Sequence, residues 1–343
     1  MKRAALLGVI ALVACSDALE QTTTAGQVVA VVERAPAAVV RLVSAEDFSV
    51  RRVIPLSSEP SGQPTSNGSM LLLSIGSEVV VFDFTTPNAS GRTITIASTP
   101  GVAGALVFQN PSVAWGTFDL SSVGSPNQYL VARFNVVTGD TATRPLPALP
   151  KDIAIADDFV FVLLATPDET NWITVIDAAT LATVDSVALT PGGGLCLTVG
   201  DDEFLYVVAR GPLTASTGRL AIVDPRIPAE VAVINGLGDP IGAAVQHPSG
   251  RLLVPSLQGI LEVNPVTRSI TRGPGGGVMP EGDHPGALVL DQRGRVYGIG
   301  DRCSEPGAQT GLMYVLSPPP AFAVVKTVEV GACPVGGAAV LTQ

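Results

Sequence analysis

The chain has 343 residues, with 20 Lys and Arg against 30 Asp and Glu, a formal net charge of −10. Hydrophobic residues make up 46% and charged ones 15%. A large core is therefore available, while the lack of any basic cluster to grip a phosphate backbone argues against nucleic-acid binding.

The chain opens with a targeting pattern. Lys2 and Arg3 precede a short apolar run from Leu6 to Ala14, too short to span a bilayer in a mature protein. It ends Leu12-Val13-Ala14-Cys15, which resembles the bacterial lipobox. That resemblance implies that residues 1–14 are a removed signal peptide and that Cys15 becomes the diacylated first residue. Residues 15–26 then form a tether to the membrane. Ser16 follows the cysteine where Asp would hold the protein back, and this resembles Gram-negative sorting to the outer membrane. Acyl chains contribute about 0.8 kcal/mol per buried methylene, so several together anchor stably. The alternative is an ordinary secretory signal carrying a chance cysteine.

From residue 27 to residue 343 one pattern repeats. Candidate opening strands begin near Gly62, Gly104, Asp152, Gly194, Gly242, Gly286 and Gly337, at gaps of 42, 48, 42, 48, 44 and 51 residues. That period fits four-stranded propeller blades. Pro residues precede the openings, as at Pro60, Pro100, Pro150, Pro191, Pro240, Pro285 and Pro334. A fixed φ and a missing N–H suit a crossing between sheets, where no ladder bond is lost. Polar turns follow the opening strand, as at Asp157-Asp158 and Asp201-Asp202. Next comes an apolar β-run such as Phe159-Val160-Phe161-Val162 or Leu205-Tyr206-Val207-Val208. The third strand ends in an Asx-led turn at Asn135, Asp177 and Asn264, because Asp and Asn side chains accept from backbone N–H groups just downstream. The fourth strand is short and β-branched, as in Val184-Asp185-Ser186-Val187. No stretch of helical periodicity competes with this reading.

The last segment, Gly336–Leu341, has the wording of an opening strand but nothing after it to pair with. The first blade has the opposite defect and begins mid-unit near Gln27. An all-β, seven-bladed propeller, closed by the C-terminal strand pairing into the first blade, resolves both and removes a free sheet edge. Leu205-Tyr206-Val207-Val208-Ala209, the Asp177-Ala178-Ala179-Thr180 turn and the Pro240-Ile241-Gly242 and Pro334-Val335-Gly336 openings resemble the YVTN/NHL-type family of seven-bladed propellers. The resemblance implies architecture, and carries no catalytic motif.

In such a ring the inner-strand starts and the loops joining second and third strands share the channel face. Four of those loops are long: Asp119–Gln128, Thr166–Asn171, Arg210–Gly218 and Asp301–Gly311. Function concentrates on such loops. The ligand-binding candidates are therefore Asp119, Lys151, Asp152, Glu169, Asn171, Arg210, Asp239, Asp283, His284 and Arg302. The sharpest constellation is Glu281, Asp283 and His284 with Asp301, whose carboxylates and imidazole suit divalent-metal or acid–base chemistry. Beside Gly and Pro, the same residues also read as a solvated loop. His247 and the Asp157-Asp158 pair fall in turn positions, and Trp115 and Trp172 read as packing residues.

Among the internal cysteines, Cys303 and Cys333 fall on the channel face beside the ring seam and are expected to form a disulfide, whereas Cys196 on an inner strand is expected to be a buried free thiol. No P-loop, GxSxG, HExxH or CxxC motif occurs, so neither a metal nor another cofactor is expected. The sequence supports a monomeric, membrane-anchored binding or scaffold module for an envelope protein, peptide or glycan. The alternative is a lactonase-like, metal-dependent propeller hydrolase using the channel-face acids.

Overall fold

In a computed structural model, residues 26–34, 37–86, 89–121, 127–166, 170–211, 216–278, 283–300 and 310–342 are described. Every regular element among them is a strand, and the strands form seven four-stranded antiparallel sheets. Blade one contains β1 (Gly26–Glu33), β2 (Val39–Ser44) and β3 (Val50–Pro55). Blade two runs from β4 (Thr65–Asn67) to β7 (Arg92–Thr95), and blade three from β8 (Val102–Phe108) through β9 (Val113–Asp119) and β10 (Tyr129–Asn135) to β11 (Thr141–Leu146). Blade four is β12 (Leu149–Ala156), β13 (Phe159–Ala165), β14 (Asn171–Asp177) and β15 (Thr183–Ala188). Blade five is β16 (Gly194–Val199), β17 (Leu205–Ala209), β18 (Arg219–Asp224) and β19 (Ala229–Asn235). Blade six spans β20 (Val245–His247) to β23 (Ser269–Arg272), and blade seven β24 (Pro285–Leu290) to β27 (Val324–Val330).

The last strand, β28 (Pro334–Thr342), is the inner strand of blade one, in the sheet order β28-β1-β2-β3. Its register with β1 runs from Gly26↔Thr342 to Glu33↔Pro334. It also reaches blade two, where Ser66 Oγ donates to the Ala339 carbonyl at 2.7 Å and Leu341 N–H to the Gly68 carbonyl at 3.0 Å. The expected closure is thus present, and blade one is regular.

The core is not central. Among the described residues the apolar side chains form seven clusters, one in each seam between neighbouring blades. This explains the burial of the second and third strands on both faces: β13 and β17 are buried almost throughout. Their β-branched, aromatic and leucine-rich sequences suit a sheet stacked on both sides. The fourth strand lies at the rim, so β15 exposes all but one residue, Val187. Trp115 is fully buried in the seam of blades three and four, and its Nε1–H donates to Gln109 Oε1 at 2.9 Å. Trp172 packs against the same cluster.

Inner strands stand close together around the channel. A Cβ placed on Gly62 would lie 2.5 Å from the Gly104 carbonyl oxygen, and one on Gly242 would lie 2.2 Å from that of Gly286. Glycine therefore recurs at the openings because neighbouring backbones touch there. These positions do not pair as expected: β4 begins at Thr65 and β20 at Val245, each three residues after its glycine. The residues just before these glycines still bond within their own blade, Ser61 N–H to the Ser74 carbonyl at 2.8 Å and Ile241 N–H to the Pro255 carbonyl at 3.0 Å, while the glycines themselves pack against the next inner strand.

Candidate functional site

A cleft of about 680 Å³ opens on the channel face across blades three to five. Two backbone irregularities shape it. Pairing of β12 with β13 skips from Pro150↔Leu164 to Asp152↔Leu163, which leaves Lys151 as the extra residue of a bulge. Pairing of β16 with β17 skips from Gly194↔Ala209 to Cys196↔Val208, and Leu195 is the extra residue there. A bulge takes a residue out of the ladder and re-aims its side chain. Lys151 and Leu195 both line the cleft.

The remaining wall comes from strand ends on the same face. Asn127 and Tyr129 stand where the long loop of blade three enters β10, with the tyrosine hydroxyl 3.2 Å from Asn127 Oδ1. Asn171 starts β14 and is buried. Arg210 and Gly211 follow β17, and Gly193 precedes Leu195. Gly192, Gly193 and Gly211 have φ of 134°, 54° and 77°, values that only glycine adopts without strain. The run is held from below by Arg219, which donates to the Thr190 and Pro191 carbonyls. Burial lowers the Arg219 pKa, and Glu230 opposes that shift.

Asp152 sits beside Lys151 but turns the other way. Its Oδ1 accepts the Ile153 N–H at 2.8 Å, and its Oδ2 accepts the Leu197 N–H of blade five at 2.7 Å. Burial dominates these bonds and raises its pKa to about 7. The free thiol of Cys196 is close by, and burial, reinforced by Asp152, pushes its pKa up as well. A raised thiol pKa makes a poor nucleophile.

Three of the sequence candidates therefore converge: Lys151, Asn171 and Arg210. Others serve local structure. Asp119 Oδ1 accepts the Ser121 N–H at 2.8 Å. Asp239 Oδ2 accepts Gln258 Nε2 at 2.8 Å, and its carbonyl accepts the Ser256 hydroxyl at 3.0 Å. Asp283 is buried, taking the Tyr314 hydroxyl on Oδ2 at 2.7 Å and the His284 N–H on Oδ1 at 2.7 Å. The His284 side chain is exposed. Cys15, Glu169, Glu281, Asp301, Arg302 and Cys303 lie outside the described residues. Cys333 is disulfide-bonded. Among the described residues no three His, Cys, Asp or Glu side chains gather as a metal-ligand set.

His247 does more than turn the chain. Ser249 N–H donates to its Nδ1 at 3.0 Å, so Nε2 carries the proton and donates to the Gly294 carbonyl of blade seven at 2.8 Å. The ring is buried and meets Phe322 edge-on at 5.1 Å. Tyr129, Asn127 and Leu195 were missed as site residues. Tyr129 and Asn127 flank the end of the long Asp119–Gln128 loop, a usable signal, whereas a bulge at Leu195 leaves no mark in a single sequence.

No protein-family model matches the chain, and no curated protein matches it in sequence. Solved structures do. A protein of unknown function from Desulfotomaculum acetoxidans aligns at a TM-score of 0.67 with 12% identity, over 92% of this chain and 99% of its own. The apo form of AztD from Citrobacter koseri aligns at 0.59 with 12% identity, over 92% and 98%. Hydrazine synthase of Kuenenia stuttgartiensis aligns at 0.61 with 14% identity, over 81% and 89%. At these identities the likeness is one of fold: the chain is a seven-bladed β-propeller similar to these structures.

Proposed function

We propose that the protein is an exported lipoprotein of the YVTN/NHL-like propeller type, anchored through Cys15, whose propeller is a binding or scaffold module of the bacterial envelope. Its ligand is taken in the channel-face cleft of blades three to five. The observation that carries this reading is the meeting of Lys151, Asn171, Arg210 and Tyr129 in one cleft. A concave site with an apolar wall and a few converging polar groups is the usual form of a ligand pocket. Residues flanking the long loops line it, and the membrane anchor raises the local concentration of paired surfaces.

The test is binding of the purified full-length protein, in detergent, to a panel of envelope glycans, peptides and small metabolites. A ligand lost on filling the cleft with Leu195→Trp supports the reading. Binding that is indifferent to Leu195→Trp places the site elsewhere and overturns it, as does absence of any binding.

A further inference from the structure

Among the described residues, the wall of the cleft has a charge that the molecule as a whole does not share. The chain carries a net charge of −10. Yet the charged residues at its wall are Lys151 and Arg210, and no Asp or Glu lines it among the described residues. Neither cation forms an ion pair among the described residues. The nearest acid in sequence, Asp152, spends its two oxygens on the N–H groups of Ile153 and Leu197. Its raised pKa further reduces the negative charge beside Lys151 at neutral pH.

The rest of the wall limits the ligand's shape. Pro147, Ala148, Leu149 and Leu195 give an apolar side, and the Tyr129 ring stands among them. A volume of about 680 Å³ lies in the range of small-molecule sites.

Taking the cleft as the binding site, we infer that its ligand is a small organic anion, a carboxylate or phosphate ester on a body with one apolar side. Lys151 supplies a mobile point charge, and Arg210 a planar fork that matches either group. Asn127, at the edge of the cleft, offers an amide for a neutral hydroxyl.

Calorimetric titration of the full-length protein tests this with four probes: digalacturonate, its neutral methyl ester, glucose 6-phosphate and glucose. The expected result is binding of one or both charged probes, with the neutral counterparts at least roughly tenfold weaker. Preference between the two charged probes identifies the anionic group. Affinity should fall with added salt, drop about tenfold in Lys151→Ala and in Arg210→Ala, and survive in Arg51→Ala, which removes an exposed cation from blade one. Equal binding of charged and neutral probes overturns the inference while leaving the cleft as a site, provided Leu195→Trp abolishes it. Charged-probe binding that persists in the Lys151→Ala/Arg210→Ala double variant overturns it too. If no charged probe binds but a neutral ligand does so at the cleft, the anion is wrong and the binding reading stands. If nothing binds, both fail.

Discussion

The carboxylate of Asp152 accepts the backbone N–H of Leu197 at 2.7 Å, and so ties the inner strand of blade four to that of blade five. Burial raises the Asp152 pKa to about 7. An acid whose folded pKa lies above its unfolded value of 3.8 binds its proton more tightly when folded. Its contribution to stability is therefore present below about pH 4 and lost as pH rises toward 7. Denaturant melts between pH 4.5 and 7.5 should show stability falling with pH by on the order of 1–3 kcal/mol from this group, since channel water tempers the full effect. Asp152→Asn should flatten that slope. An unchanged slope in the variant would remove Asp152 as its source.

Glu33 is buried and paired. Arg41 Nε and Nη2 reach its carboxylate at 2.6 and 3.1 Å, and Gly331 N–H donates to it at 2.9 Å. The group thus joins blade one to the chain leaving blade seven. Arg41→Ala leaves a buried carboxylate with one remaining donor, which costs roughly 3–5 kcal/mol. Glu33→Gln/Arg41→Met, which removes both charges, should recover much of that loss. Urea denaturation of the single and double variants checks it, and an additive double variant would show that the pair is not coupled.

His247 joins blades six and seven through one defined tautomer, with Nε2–H on the Gly294 carbonyl. His247→Ala should cost about 2–4 kcal/mol, from lost packing on Phe322 and an unmet buried carbonyl. His247→Gln keeps a donor and should cost less. Thermal melts of the two variants check this; equal losses would mean that packing alone matters.

The architecture was legible because each blade repeats the same local chemistry. The Asx-led turns at Asn135 and Asp177 reflect a constraint local to their own few residues, and the openings at Gly62 and Gly242 and the unpartnered Gly336–Leu341 segment recur in phase with such turns. The site was legible in part. Lys151, Asn171 and Arg210 could be placed on the channel face by their phase in the repeat. What phase cannot give is the direction of a side chain within that face. Asp152 and Lys151 are neighbours, yet the bulge sends the lysine to the cleft while the aspartate turns to Leu197. Asp239 and Asp283 satisfy all the phase criteria of a site residue. They are engaged instead by Gln258 and Tyr314, partners far away in sequence.

Cys333 is disulfide-bonded, and its proposed partner is Cys303, 30 residues earlier in the chain. A loop of that length corresponds to about 3–4 kcal/mol in the chain-entropy account. Peptide mapping without reduction should recover one cross-linked pair containing both cysteines. Cys303→Ser and Cys333→Ser should lower the melting temperature by similar amounts, and neither should fall further on adding dithiothreitol. A pair linking Cys333 to Cys196 would contradict the free thiol at that position and overturn the assignment.

The closing strand gives the sharpest test of the ring. Along β28 the side chains of Ala338 and Val340 are buried between blades one and two, while Leu341 donates its N–H across to Gly68. Deleting residues 334–343 strips β1 of its inner neighbour and leaves an edge whose side chains, Val28 to Val32, are almost wholly buried in the intact ring. An apolar exposed edge of that kind pairs with other chains. The truncated protein should therefore aggregate or elute as higher oligomers on size-exclusion chromatography. Val340→Asp, a milder lesion, places a carboxylate in the seam and should lower stability by several kcal/mol without removing any backbone. Adding the missing strand back as a free peptide should restore a monomeric peak if closure is what the segment supplies. A truncation that remains monomeric and melts like the intact chain would show that the ring holds without its clasp.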